Sequence, residues 1–147
     1  MKNSTVSLSS LCFLLVLFGC AKPIQPPVKF YLNRPFGLKV DQTGEFAENQ
    51  GFTIKFDKVS SDSRCPKGVQ CITAGKADIE LTLGKDGAKQ TVTLPFTLPN
   101  GTSNVTEFNG HTIRVVGVSP FKFKDKEIKP EDYVVTLLVL ETTAAQQ

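Results

Sequence analysis

Apolar and polar residues alternate along most of this chain, and this period of two is the feature that most limits its fold. In segment 77–83 an alanine, an isoleucine and two leucines are separated by Asp78, Glu80 and Thr82. Such alternation is typical of strands with one buried face. Related patterns occur in segments 36–40, 52–59, 90–96 and 111–118. Segment 133–140 is more evenly apolar, which indicates a central strand covered on both faces.

These segments predict an all-β fold. No window of ten or more residues combines a helical period with helix caps. Segments 77–83 and 90–96 are predicted to form a hairpin, because Gly84-Lys85-Asp86-Gly87 follows the first of them. We expect one antiparallel β-sandwich of six to eight strands, Ig-like in arrangement, with a small barrel as the alternative.

The N-terminus predicts export. Lys2 is followed by an apolar run over residues 11–18, too short to span a bilayer, which needs about 20 residues. Residues 1–19 are therefore interpreted as a signal peptide. Gly19-Cys20 resembles a bacterial lipobox, which implies that the Cys20 thiol is acylated and becomes the mature N-terminus. The expected partner of this residue is a lipid bilayer.

The rest of the chain divides into three parts. Residues 20–28 contain the lipid-attachment cysteine and a spacer with three prolines, which favour an extended conformation. Residues 29–141 are expected to form the β-sandwich domain, and residues 142–147 a flexible tail. By resemblance to the sorting rule of enteric bacteria, lysine instead of aspartate at position 22 implies the outer membrane over retention at the inner one. The predicted location is the bacterial cell envelope, at the outer membrane facing the periplasm.

The cysteine count predicts one disulfide. Cys12 leaves with the signal peptide and Cys20 carries lipid, so Cys65 and Cys71 remain as a pair in an oxidising compartment. A zinc site would need two more good ligands, and the chain has a single histidine. A redox site would normally use the tighter Cys-x-x-Cys spacing. We therefore expect a structural bridge, with no metal and no cofactor.

The loop around these cysteines resembles a family of small, mostly uncharacterised bacterial exported proteins. Its motif is Asp-Ser-Arg-Cys-Pro, then a valine, a second cysteine and Ala-Gly before a strand. The matching residues here are Asp62, Ser63, Arg64, Cys65, Pro66, Val69, Cys71, Ala74 and Gly75. Weaker similarity extends to residues 118–121 and 131–133. Thr73 stands where such proteins often carry tryptophan. The resemblance implies a β domain and a disulfide, and no particular activity.

Asp62 and Arg64 are the candidate site residues of this loop. In one interpretation they form a binding pair, with the guanidinium holding a carboxylate or phosphate of a ligand. In the other, which we favour, Asp62 caps a turn and Arg64 pairs with it or with backbone carbonyls to structure the loop. His111 follows Asn109-Gly110 and is expected to be an exposed residue at a strand start. No catalytic residue is assigned, because no nucleophile motif accompanies this histidine.

Charge argues against nucleic acid as a partner, since the mature chain carries 16 basic and 14 acidic residues once Lys2 is removed. Segment 120–130 alternates aromatic and basic residues. It is either a patch for acidic polymers or lipid headgroups, or a connection whose Phe121 and Phe123 pack at the core edge, which we favour.

The predicted function is that of a membrane-anchored lipoprotein that binds another envelope protein or a polymer without catalysis. One alternative is an envelope hydrolase with a carboxylate-based site, for which Asp57 and Asp62 are among the available carboxylates. The other is a metal-handling protein with His111 and nearby carboxylates as weak ligands.

Overall fold

A computed structural model of the protein describes residues 25–49, 51–97 and 105–142. Nine strands in these ranges form two sheets that face each other across one core. They are β1 Val28–Phe30, β2 Phe36–Lys39, β3 Thr43–Phe46, β4 Phe52–Asp62, β5 Ala77–Lys85, β6 Ala88–Phe96, β7 Val105–Phe108, β8 His111–Ser119 and β9 Val134–Glu141. Pro130–Asp132 form one 3-10 turn. The predicted all-β sandwich is confirmed, and the described strands form no closed barrel.

Sheet A has the strand order β1-β3-β4-β5-β6, and sheet B has the order β2-β9-β8-β7. The strand count exceeds the predicted six to eight, because β1, β3 and β7 are only three or four residues long. So short a segment shows hardly any alternation. One pair also departs from the antiparallel expectation, since β1 runs parallel to β3. No helix within the described ranges is long and apolar enough to cross a membrane.

The core follows the alternation in the sequence. In β5, Ile79, Leu81 and Leu83 are fully buried while the residues between them are half-buried. The opposing side of the core comes from Ile113 and Val115 of β8 and alternate residues of β9. Burial of these side chains supplies most of the driving force for packing the two sheets.

Phenylalanine rings fill the part of the core next to β1. Phe30 stacks on Phe36 with 4.6 Å between ring centroids, and it meets Phe52 edge to face at 5.6 Å. Gly44 lies inside β3 beneath these rings. A Cβ there would lie 3.0 Å from the Phe36 ring and 3.3 Å from the Phe30 ring, so the glycine permits close packing.

Three local predictions can be compared with the strands. The hairpin of β5 and β6 is confirmed, with Asp86 and Gly87 forming its turn. The alternation of segment 52–59 slips at its last step, from Lys58 to Val59, and β4 pairs irregularly with β5 on either side of this step. The expectation for β9 was wrong in one respect. This strand is central in sheet B, but only alternate residues are buried, so one face alone packs on the core.

Two connections meet at one end of the sandwich, which we call the loop end. Loop 63–76 joins β4 to β5, and loop 120–133 joins β8 to β9. The first connects strands of sheet A and the second connects strands of sheet B. Contacts between them therefore join the two sheets.

Candidate functional site

The two loops of the loop end bind each other through their backbones. The amide of Lys67 donates to the carbonyl oxygen of Lys122 over 2.8 Å, and Lys67 forms an isolated bridge with Phe123. Cys65 and Cys71 form the predicted disulfide, with their Cα atoms 6.0 Å apart. A disulfide is typical of proteins in an oxidising compartment outside the cytoplasm.

Asp62 and Arg64 form a buried ion pair at the base of loop 63–76. The Arg64 side chain donates from Nε to Oδ1 of Asp62 over 2.9 Å and from Nη2 to Oδ2 over 2.8 Å. The backbone amide of Arg64 also donates to Oδ1, over 3.1 Å, which makes a local turn. Both side chains are less than a tenth exposed. The planar guanidinium therefore meets the carboxylate in two-point geometry at a largely buried position.

Glycine at position 75 allows the loop to close on Arg64. The amide of Ser63 donates to the carbonyl of Lys76, and the amide of Cys65 donates to that of Ala74. Gly75 lies between these bonds with a φ of +67°, and a Cβ there would lie 1.8 Å from the carbonyl oxygen of Ser63. Only glycine fits so close to the facing backbone.

The ion pair also contacts sheet B. Arg64 donates from Nη1 to the carbonyl oxygen of Val118 over 2.8 Å and from Nη2 to that of Pro120 over 3.1 Å. Tyr133 donates its hydroxyl to Oδ2 of Asp62 over 3.0 Å, and Lys122 donates from Nζ to the backbone oxygen of Asp62 over 2.8 Å. These bonds join the end of β4 to both ends of loop 120–133.

Electrostatics agree with this geometry. Burial alone raises the pKa of Asp62, but the hydrogen bonds and the charge of Arg64, helped by the Tyr133 hydroxyl, outweigh burial and bring that pKa below its ordinary 3.8. For Tyr133, burial and then the hydrogen bond to the Asp62 carboxylate raise the pKa to about 12. At neutral pH the carboxylate is thus ionised and the phenol is protonated.

These contacts correspond to the loop-structuring alternative for Asp62 and Arg64. Both carboxylate oxygens accept hydrogen bonds, and the guanidinium is engaged at Nε, Nη1 and Nη2. A ligand would have to displace internal partners from a buried position. Tyr133 was not assigned a role from the sequence, since no local pattern relates it to a residue 71 positions earlier.

The loop end exposes apolar side chains. Phe121 is 54% exposed and Phe123 is 48% exposed, so the prediction that both rings pack at the core edge was wrong. The backbone of Phe123 pairs with Lys67 and Lys126, which holds it in the loop, and the Phe121 ring lies 3.7 Å from Nζ of Lys67. In loop 63–76, Val69 is 39% exposed and Ile72 is fully exposed. We call these four apolar side chains the end surface.

A groove of about 320 Å³ lies beside this surface. Phe123 and Ile128 contribute its apolar lining, and Lys126, Glu127 and Asp132 are among its polar residues. Its walls all come from segment 119–132. The groove therefore continues the end surface along loop 120–133.

The other candidate residues lie elsewhere. His111 starts β8 at the opposite end from the loops, is half-buried rather than exposed, and stacks on Phe52 with 5.1 Å between ring centroids. Asp57 accepts hydrogen bonds from Lys55 and Thr82 and shares no partner with Asp62. Within the described ranges, no three His, Cys, Asp or Glu side chains are grouped so as to hold a metal ion.

Residues 1–24, which include the predicted signal peptide, Cys20 and Lys22, and residues 143–147 of the expected tail lie outside the described residues. Comparisons of the chain with protein-family models, with curated proteins and with solved structures found no match. The family resemblance of the Asp-Ser-Arg-Cys-Pro loop therefore stays a prediction.

Proposed function

We propose that this protein is a lipid-anchored module of the bacterial cell envelope that acts through non-catalytic binding at its end surface. One observation carries the proposal. The buried cluster of Asp62, Arg64 and Tyr133 fixes two loops from different sheets against each other, and the surface so formed leaves Phe121 and Phe123 about half exposed.

Exposed phenylalanine rings on a fixed backbone are suited to binding. Scattered single apolar residues are normal on a protein surface, whereas here two phenylalanine rings are exposed two positions apart on one loop and both line one groove. Here the loops are held by a disulfide, an ion pair and backbone hydrogen bonds, so little conformational entropy is lost when a partner covers them. The rings would lose water on binding, and this supplies favourable free energy.

The charged groups of the loop end support binding rather than catalysis. A catalytic carboxylate must reach a substrate, whereas Asp62 is covered by Arg64 and Tyr133. The pKa of Asp62 is also lowered, which is the wrong direction for a general acid at neutral pH. Neither a carboxylate-based hydrolase nor a metal-handling protein is favoured by a specific contact among the described residues.

The envelope location is supported by two independent features. The leader and the Gly19-Cys20 junction resemble those of an exported, acylated chain, and the bridge between Cys65 and Cys71 is typical of an oxidising compartment. Lys22 favours the outer membrane facing the periplasm. The partner bilayer is bound through the acyl group on Cys20.

Two measurements test the proposal. Metabolic labelling with a palmitate analogue should label the full chain and leave a Cys20→Ala variant unlabelled.

A photo-reactive phenylalanine analogue in place of Phe121 should crosslink to an envelope component, while the same analogue in place of Tyr31 at the other end should not. An unlabelled native chain, or a chain that stays in the cytosol, would contradict the anchor. Equal crosslinking at both positions would contradict the binding surface.

A further inference from the structure

We infer that the protein forms a homodimer through the outer face of sheet B, which is the face turned away from the core. The occupant that we assign to this face is a second copy of the same chain. The contact is distinct from the end surface, so the inference goes beyond the proposed function. It depends neither on acylation nor on binding at the loop end.

The outer face of sheet B is apolar over much of its area. In β9, Val135, Leu137 and Val139 pack on the core, so the residues between them point outward. Strands β8 and β7 continue the sheet beside β9 and present their own outward residues. A contiguous apolar group is typical of a contact with another molecule. Five apolar side chains on these three adjacent strands are exposed or half-buried: Val105, Val116, Val134, Leu138 and Leu140.

The outer face of sheet A is built in the opposite way. Oppositely charged side chains pair across it, as in Lys29 with Glu45 and Lys58 with Glu80. Among the residues that the structure describes, no ion pair involves a strand of sheet B. An antiparallel sheet with one solvated face commonly carries polar residues on that face. Sheet A has this composition and sheet B does not, which indicates that another molecule covers the outer face of sheet B.

The shape of this face is complementary to itself. Thr136 of β9 pairs with Gly37 of β2 on one side and with Gly117 of β8 on the other, so a row of small residues crosses three strands. The next row contains the larger Leu138 and Arg114. A two-fold axis perpendicular to the strands and between these rows places the larger row of each copy over the small row of the other.

This arrangement leaves the proposed binding surface free. The strands of the two copies run antiparallel across the contact, so the two loop ends point in opposite directions. The packing is that of two β-sheets face to face, at a separation of about 10 Å. The dimer therefore presents one end surface at each of its ends.

The charge on the outer face of sheet B permits self-association. Two copies bring identical surfaces together, so a face with a large net charge repels itself. Here Arg114 of β8 and Glu107 of β7 lie in neighbouring rows and balance each other. The remaining charged residue of the face, Lys39, lies on the edge strand β2. The face therefore neither repels a second copy nor selects a strongly acidic or basic partner.

The size of the face limits the strength of the dimer. At about 4.8 Å between strands and about 3.3 Å per residue, the strands of sheet B cover about 400 Å² in projection. Protruding side chains add to this area, and a standard interface takes about 800 Å² of accessible surface from each partner. We therefore expect a small interface and a reversible dimer rather than a permanent one.

Photo-crosslinking between two differently tagged copies tests the inference. Two versions of the full chain, with different C-terminal epitope tags, are produced together in a bacterial host. Both carry a photo-reactive phenylalanine analogue in place of Val116, which is 41% exposed. The matched control carries the analogue in place of Thr93, an exposed residue on the outer face of sheet A. Irradiation should give a species with both tags, at a yield at least about fivefold higher from position 116 than from position 93.

Two substitutions probe the same contact. Gly37→Lys removes no side chain, and the Cβ that it adds would lie 3.6 Å from the Val134 side chain, an ordinary contact distance. Leu138→Lys replaces a half-buried leucine near the centre of the face. Each brings like charges of the two copies together, so each should reduce the two-tag species from position 116 at least about fivefold. Thr93→Lys on sheet A should leave its yield unchanged.

Thermal melting confirms that each variant is folded, and Gly37→Lys decides alone if Leu138→Lys is unfolded. Equal yields at positions 116 and 93, or a yield that folded Gly37→Lys leaves unchanged, would overturn the inference. Crosslinking of position 116 to a different protein alone would overturn it as well. None of these results changes the crosslinking of position 121, so the proposed function is tested separately.

Discussion

The hydroxyl of Tyr133 donates to Oδ2 of Asp62 over 3.0 Å, and this bond joins residues 71 positions apart in the chain. Tyr133 directly precedes β9 of sheet B, while Asp62 is the last residue of β4 in sheet A. Arg64 completes the connection through the carbonyls of Val118 and Pro120. The stability of the sandwich and the shape of the end surface therefore depend on the same few polar groups.

Replacing Arg64 with alanine should destabilise the fold. The substitution leaves the Asp62 carboxylate buried without its cation and removes the donors to two backbone carbonyls. Breaking one side of a buried ion pair costs about 3–5 kcal/mol. The free energy of unfolding, from urea titration, measures the loss.

Arg114→Ala is the matched control for this variant, because Arg114 is an exposed arginine in β8. It should change stability by less than about 0.5 kcal/mol. If the two variants were equally stable, the buried cluster would not hold the sheets together. If Arg64→Ala melted normally but lost crosslinking at position 121, Arg64 would be a binding residue and not a structural one.

Acid should remove the contribution of Asp62 to stability. Its pKa is lowered in the folded protein, so the contribution is present in full above the ordinary value of 3.8 and is lost as pH falls through the folded value. Asp62→Asn has no carboxylate to protonate. The difference in unfolding free energy between native protein and variant should therefore be constant near neutrality and shrink below about pH 4. A difference that grew on acidification would show the opposite shift.

Raising the pH should remove the contribution of Tyr133 to stability. Its pKa is raised to about 12, so its stabilising effect is complete below about pH 10, the ordinary value, and is lost as pH rises toward 12. The chain has two tyrosines, so Tyr31→Phe leaves Tyr133 as the only phenol. Ultraviolet titration of that variant should show ionisation near pH 12. Titration close to pH 10 in the folded protein would contradict the buried hydrogen bond to Asp62.

The sequence predicted those features that depend on neighbouring residues. Alternation over seven or more residues located β4, β5, β6 and β8, an evenly apolar segment located β9, and the cysteine count paired Cys65 with Cys71. Features set by distant contacts were not accessible. The four residues of β3 are recognisable as a strand only through their pairing with β1 and β4. The exposure of Phe123 follows from its bridge to Lys67, which is 56 positions earlier in the chain and which no local pattern relates to it.

Gly75 illustrates a position whose importance depends on both local and distant structure. Gly75 and Gly68 both have positive φ, of +67° and +80°, so alanine at either position adopts an unfavourable backbone conformation that costs about 1 kcal/mol. Their surroundings differ. A Cβ at position 68 meets nothing within 4 Å, whereas one at position 75 would lie 1.8 Å from the carbonyl oxygen of Ser63.

Gly75→Ala should therefore force the backbones of residues 63 and 75 apart and disturb the two hydrogen bonds that flank Arg64. We expect a loss of about 3 kcal/mol or more in the free energy of unfolding, combining backbone strain with overpacking, against about 1 kcal/mol for Gly68→Ala. Urea titration of the two variants compares them directly, and hydrogen exchange at the Cys65 amide reports the opening of the loop. Equal losses of stability would mean that the close approach of residue 75 to the Ser63 backbone does not position Arg64. Glycine would then be needed at position 75 only for its positive φ.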